Sequence, residues 1–171
     1  NTTAADNFHY LEQVQRGLFV DRTSRFVSML DFGAESIPIP VDLDGDGDQD
    51  LLIGNKIEQD DTQNGKLYRL INDGSPGEPR FRLDGAMLFG GGYHPRPAFG
   101  DLDGDGDVDA ILGTWEDELR LYLNQPSDGS MQLTLVDSAV VTLTRGRNAT
   151  PTLGDIDGDG DLDLFIGESA G

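Results

Sequence analysis

Aspartate occupies every second residue in three short stretches of this chain: DLDGDGDQD from Asp42, DLDGDGDVD from Asp101 and DIDGDGDLD from Asp155. The carboxylates are Asp42, Asp44, Asp46, Asp48 and Asp50; then Asp101, Asp103, Asp105, Asp107 and Asp109; then Asp155, Asp157, Asp159, Asp161 and Asp163. They fill positions 1, 3, 5, 7 and 9 of each loop. In water such a loop repels itself, whereas on a tightly curled backbone alternate carboxylates converge on one point and hold a cation. Hard oxygen donors in this number suit Ca²⁺, and Mg²⁺ less well because it keeps its waters. Transition metals would want the His or Cys ligands that the loops lack. About three Ca²⁺ ions are therefore expected. Gly47, Gly106 and Gly160 stand at position 6, where the backbone must turn sharply, and position 7 is expected to ligate through its carbonyl, leaving its carboxylate free.

An EF-hand begins in the same way but needs a bidentate Glu at position 12, between two helices. Position 12 is Ile53, Leu112 and Ile166, each inside an apolar run. The EF-hand is excluded on its own ligand count.

The elements that must carry these loops are strands. Each loop follows a short extended segment (PIPV, PAFG, PTLG) and leads into a short apolar run ending at Gly (DLLIG, DAILG, DLFIG). Such runs are too short for helices and suit core strands. KLYRLIN and LRLYLN supply a third strand, and RFRLDGAMLF and MQLTLVDSAVVTL a fourth. The turn clusters NDGSPGEP and NQPSDGS lie between them. The loops recur after 59 and then 54 residues, a period that suits one four-stranded propeller blade per repeat. The fold class expected is all-β, built of β-propeller blades of four antiparallel strands.

By the same pattern, FHYLEQVQRG and GLFVDRTSRFVSML match strands three and four. The units expected are 1–36 (half a blade, strands three and four), 37–95 (a blade), 96–149 (a blade) and 150–171 (half a blade, strands one and two). That is about three blades' worth, so the chain is expected to be a segment of a longer propeller or to be completed by a neighbouring chain through its terminal half-blades.

The formal charge is -20, from 32 acidic and 12 basic residues. The loops hold 15 of the acids, so outside them the balance is 17 against 12, which is ordinary. This charge argues against nucleic-acid partners, which need basic patches, and against anionic membrane surfaces. The absence of cysteine excludes a disulfide scaffold, a zinc–thiolate site and a thiol nucleophile. No apolar stretch has the length of a membrane span, and the first residues lack the pattern of a signal peptide. Asn1-Thr2-Thr3 and Asn148-Ala149-Thr150 fit the N-glycosylation triplet, a pattern frequent by chance.

PAFGDLDGDGDVDAILG and its two counterparts resemble the FG-GAP repeat, also described as the VCBS-type repeat, of integrin-α-like calcium-binding β-propellers. The resemblance implies that carboxylates at positions 1, 3, 5 and 9, with the carbonyl at 7, hold Ca²⁺; every one of those positions matches. Such propellers serve in cell adhesion, in carbohydrate binding and in some polysaccharide lyases. Weak calcium sites, with Kd of about 10⁻⁴–10⁻³ M, fill only where calcium is plentiful, which fits a secreted or cell-surface protein.

If the loops lie on one face of the blades, recognition belongs on the opposite face, before strand one and after strand two. The middle repeat places Tyr93, His94, Arg96 and Trp115 there, an aromatic and cationic patch suited to a sugar or an acidic polymer. The segment NKIEQDDTQNG is expected to be a solvated hairpin tip. No nucleophile–base order or phosphate loop stands out, and the loop carboxylates would be neutralised by metal. Three functions follow: a module binding a glycan or protein ligand, a subunit of an extracellular head-to-tail assembly, or part of a polysaccharide lyase with His94 as its base.

Overall fold

The computed structural model describes residues 11–21, 32, 35–56, 64–75, 77–87, 92–126 and 131–169. The two parts of the amino-terminal strands at 8–10 and 22–31, most of the 55–65 hairpin and the Asn1 triplet lie outside these residues. All regular structure among them is β.

Two four-stranded antiparallel sheets form the centre. The first has β3 (Ile37–Val41), β4 (Asp50–Gly54), β5 (Leu67–Asn72) and β6 (Phe81–Met87), in chain order. The second has β7 (Arg96–Gly100), β8 (Asp109–Gly113), β9 (Glu118–Asn124) and β10 (Leu133–Thr142), again in order. These are meanders of propeller-blade type. Two two-stranded sheets accompany them: β1 (Leu11–Gln15) with β2 (Leu18–Asp21), and β11 (Arg147–Gly154) with β12 (Asp163–Ser169). No helix among the described residues is long and apolar enough to cross a membrane.

Register fixes the loops in the same place three times. Val41 pairs with Asp50, Gly100 with Asp109 and Gly154 with Asp163, so each aspartate loop closes a β-hairpin at the same rung.

The sheets stack face to face, and alternate side chains of the second strand enter different cores. Leu52 joins Val41, Leu43, Leu67, Ala110, Leu112 and Tyr122 between the first and second sheets. Ile111 joins Leu119 and Ala149, with Leu153, Leu164 and Ile166, between the second sheet and β11–β12. All five residues of β8 are buried. A strand covered on both faces shows no polar alternation, which is why these runs are continuously apolar.

Glycine ends the second strand for a steric reason. A Cβ on Gly113 would run into the carbonyl oxygen of Ala149, and one on Gly54 would press on Leu67 and the carbonyl oxygen of Pro95. The segment entering the next repeat passes directly over these glycines.

Candidate metal centres and the opposite face

Each loop is built around its first carboxylate. Asp42 Oδ1 accepts the N–H of Gly45 at 2.7 Å and Oδ2 that of Gly47 at 3.0 Å. Asp101 does the same with Gly104 and Gly106, and Asp155 with Gly158 and Gly160. The turn needs left-handed backbone at two residues: φ is 76° and 92° at Gly45 and Gly47, where a side chain would be strained. Asp44 Oδ1 in turn accepts the N–H of Asp46, and Asp46 Oδ1 that of Asp48.

The ninth-position aspartate ties the loop to the sheet. Asp50 is 1% exposed; its Oδ2 accepts Leu43 N–H and its Oδ1 accepts Asn72 N–H, at 2.8 and 2.7 Å. Asp109, fully buried, accepts Leu102 N–H and Asn124 N–H, both at 2.8 Å. Asp163 accepts Ile156 N–H at 3.0 Å and is partly exposed.

The result is three matching groups. Carboxylate oxygens of Asp42, Asp44 and Asp50 lie within 4.8 Å of one another, as do those of Asp101, Asp103 and Asp109, and those of Asp155, Asp157 and Asp163. Positions 1, 3 and 9 thus come together and could hold a metal ion, while the position 5 and 7 carboxylates stand outside the groups. Asp46, Asp105 and Asp159 serve as turn acceptors. Asp48, expected to keep a free carboxylate, is half-buried, and its Oδ1 is sealed from water without a hydrogen-bond partner. Burial pushes the Asp50 carboxyl above its ordinary pKa, against the pull of the two N–H groups it accepts. Three all-oxygen donor sets with no cationic side chain among them fit a hard divalent ion.

At the other end of the hairpins, three residues share a conformation. Glu35, His94 and Asn148 have φ of 55°, 63° and 61°, and they are the described non-glycine residues with positive φ. Each stands seven residues before the first aspartate of its loop. The N–H of His94 donates to Lys56 O at 3.1 Å, and that of Asn148 to Trp115 O at 3.4 Å. A backbone bond at this position therefore ties the second and third hairpins each to the repeat before it.

The four residues singled out on this face do come together, in two layers. Tyr93 and Trp115 meet edge to face at 5.6 Å and 87°, with Trp115 42% exposed and Lys56 Nζ 5.8 Å from the Tyr93 ring centre. Beneath them His94 is 2% exposed. Arg96 donates through Nη2 to His94 Nε2 at 2.9 Å and through Nη1 to Thr150 Oγ1 at 2.7 Å, bridging to the next repeat. Arginine has no acceptor, so the His94 nitrogen must accept and the ring is neutral. Burial, then the Arg96 charge, holds the imidazole below its usual pKa. Glu35 reaches toward His94 at 3.8 Å and pairs with Lys56 at 2.6 Å.

Two further features carry no loop-like signature. Asn72 Oδ1 accepts the N–H groups of Gly74 and Arg80, and Asn124 Oδ1 that of Gln132. Each asparagine thus links the buried aspartate to the turn before strand four. The shared endings LIN and LYLN were the signal for this relay. The left-handed triplet had its fixed spacing as a signal, since of the three residues only His and Asn are types that favour such backbone.

No curated protein matches the chain. A family model, the FG-GAP-like repeat, matches residues 42–112 and again 101–166, and together these cover the three loops and the sheets between them. By this match, and by the hairpins just described, the chain belongs to the FG-GAP-like repeat family.

Proposed function

We propose that the protein is a secreted, calcium-stabilised FG-GAP repeat module that binds a glycan or protein ligand on the face opposite its aspartate loops. Asp42, Asp44 and Asp50, with their counterparts, would hold Ca²⁺ and so clamp each hairpin. Bound calcium supplies no reaction; it neutralises carboxylates that otherwise repel. At ten times Kd each ion would stabilise the fold by roughly 1.4 kcal/mol, and three sites together are comparable to a domain's whole margin.

The observation that carries the ligand reading is Trp115, 42% exposed and held at right angles to Tyr93, whose ring Lys56 Nζ approaches at 5.8 Å. A partly exposed indole fixed on a tyrosine that carries a lysine suits stacking on a sugar ring or contact with an acidic chain. His94, the base a lyase would need, is walled from solvent behind them, which favours binding over catalysis.

The test has two parts. Calorimetry should show a lower melting temperature with EDTA than with millimolar calcium; an unchanged melting point would remove the calcium reading. Calcium-loaded protein should bind on a glycan array or capture a protein partner, and Trp115→Ala should weaken that binding without moving the melting temperature. A blank array and a blank pull-down with folded, calcium-loaded protein would overturn the ligand reading.

A further inference from the structure

The first two aspartate loops meet at one joint. Leu43, between Asp42 and Asp44, is 2% exposed and belongs to the core shared by the first and second sheets. Val108, directly before Asp109, packs against the same cluster. A side chain from within each loop is thus fixed in one close-packed core, where a shift of either is felt by the other.

A chain of hydrogen bonds runs beside this apolar contact. Asp50 Oδ2 accepts the N–H of Leu43 at 2.8 Å, and the carbonyl oxygen of Leu43 accepts the N–H of Met131 at 3.3 Å. One residue further along the backbone, Gln132 N–H donates to Asn124 Oδ1 at 2.7 Å, and Asn124 N–H donates to Asp109 Oδ1 at 2.8 Å. Asp109 Oδ2 then accepts the N–H of Leu102 inside the second loop. A carboxylate of the first candidate metal group is therefore connected to one of the second through the turn before β10. The path lies wholly within the two four-stranded sheets and their loops.

We infer that the Asp42–Asp44–Asp50 and Asp101–Asp103–Asp109 groups bind divalent cations as a coupled pair, a cation in one raising the affinity of the other. The inference rests on the calcium reading above. Each loop must be ordered before its carboxylates can hold an ion. Part of that ordering falls on elements both loops share: the core around Leu43 and Val108, and the Met131–Asn124 turn. The first ion to bind orders these elements, and the second binds to a loop whose supports are already fixed. Direct repulsion between two cations acts the other way, so positive coupling is the mark of the shared elements. Linkage makes the effect equal in both directions.

An NMR titration with calcium tests this, the N–H groups of Gly47 and Gly106 reporting the two loops separately. Asp103→Ala removes a carboxylate from the second group and leaves the bonds of Asp101 and Asp109 in place. It should raise the calcium midpoint read at Gly47 by about fivefold or more, and Asp44→Ala should do the same at Gly106. Met131→Pro removes the N–H given to Leu43, and the first repeat already carries Pro79 at the corresponding turn position. Asn124→Ala removes the acceptor of Gln132. Either change, in protein that still melts cooperatively, should keep calcium binding at both loops but shrink the effect of Asp103→Ala at Gly47 to less than about twofold. In Asp103→Ala itself, calcium should slow hydrogen exchange at the Met131 N–H. A Gly47 midpoint unmoved by Asp103→Ala would overturn the coupling and leave the calcium reading intact. The full effect persisting in both Met131→Pro and Asn124→Ala would overturn the path. No response to calcium at Gly47 or Gly106 would remove the calcium reading itself, and the coupling with it.

Discussion

The loops at 101–109 and 155–163 have nearly the same sequence and close the same hairpin, yet their ninth-position carboxylates live in different surroundings. Asp109 is fully buried and accepts one N–H from its own loop and one from Asn124 at the end of β9. Asp163 is partly exposed and accepts from Ile156 within the loop. The loop at Asp42 is of the first kind, through Asn72. A motif therefore fixes its own turn, while the third strand beside it decides whether the motif is also part of the sheet's core.

The largest expected effect separates these two kinds of loop. Asp109→Ala removes a charged acceptor from two N–H groups and orphans a buried donor, a loss on the order of 4 kcal/mol; Asp163→Ala removes one partly exposed bond, about 1 kcal/mol. Urea unfolding in EDTA measures both without the contribution of bound metal. Equal losses would mean that the Asn124 link adds nothing, and the contrast between embedded and open loops would fail.

Much of this was legible in the chain itself. The alternating aspartates, their glycines and the apolar runs announced hairpins and blades because local turn chemistry and period-2 burial leave direct marks. What was hidden depends on contacts between repeats. His and Asn tolerate left-handed backbone better than most residues and Glu does not, so residue type alone does not mark the shared conformation of Glu35, His94 and Asn148; for His94 and Asn148 it goes with an N–H bonded to the carbonyl of Lys56 and of Trp115. The burial of His94 was equally invisible, since a Tyr-His-Pro-Arg segment looks like surface until Arg96 is seen reaching across to Thr150. The restriction of the candidate metal groups to positions 1, 3 and 9 also needed the fold, because five evenly spaced carboxylates look equivalent along a line.

A second, smaller contrast concerns the glycines that end the second strands. Gly113→Ala should cost about 2 kcal/mol, because its Cβ meets the backbone of Ala149, which cannot yield as a flexible side chain does. Gly167→Ala meets Thr150 O at 3.8 Å, an ordinary contact, and should change stability by less than about 0.5 kcal/mol. Thermal melts of the pair decide it. A large loss at Gly167 would show that β12 is as tightly covered as β8.

The smallest effect is one of pH, and it distinguishes two joints by a single side chain. His94 joins the second repeat to the first through Lys56 O, and Asn148 joins the third to the second through Trp115 O. Only the first of these can titrate. The groups facing the imidazole are Arg96, Glu35 and Lys56, and burial acts before all of them in holding its pKa down. A base whose folded-state pKa is depressed gives stability that is complete above its unfolded value, near pH 6.5, and lost as pH falls through the folded value. Protonation would also put a cation against the Arg96 guanidinium that now donates to the ring. Melting temperature in EDTA should therefore fall as pH is lowered from neutrality toward 5. His94→Asn copies the residue of the other joint, tolerates left-handed backbone and carries no titrating group, so its melting temperature should fall less over the same range. Parallel curves for the two proteins would place the acid sensitivity in the aspartate loops instead, and the joints would then differ in sequence but not in response.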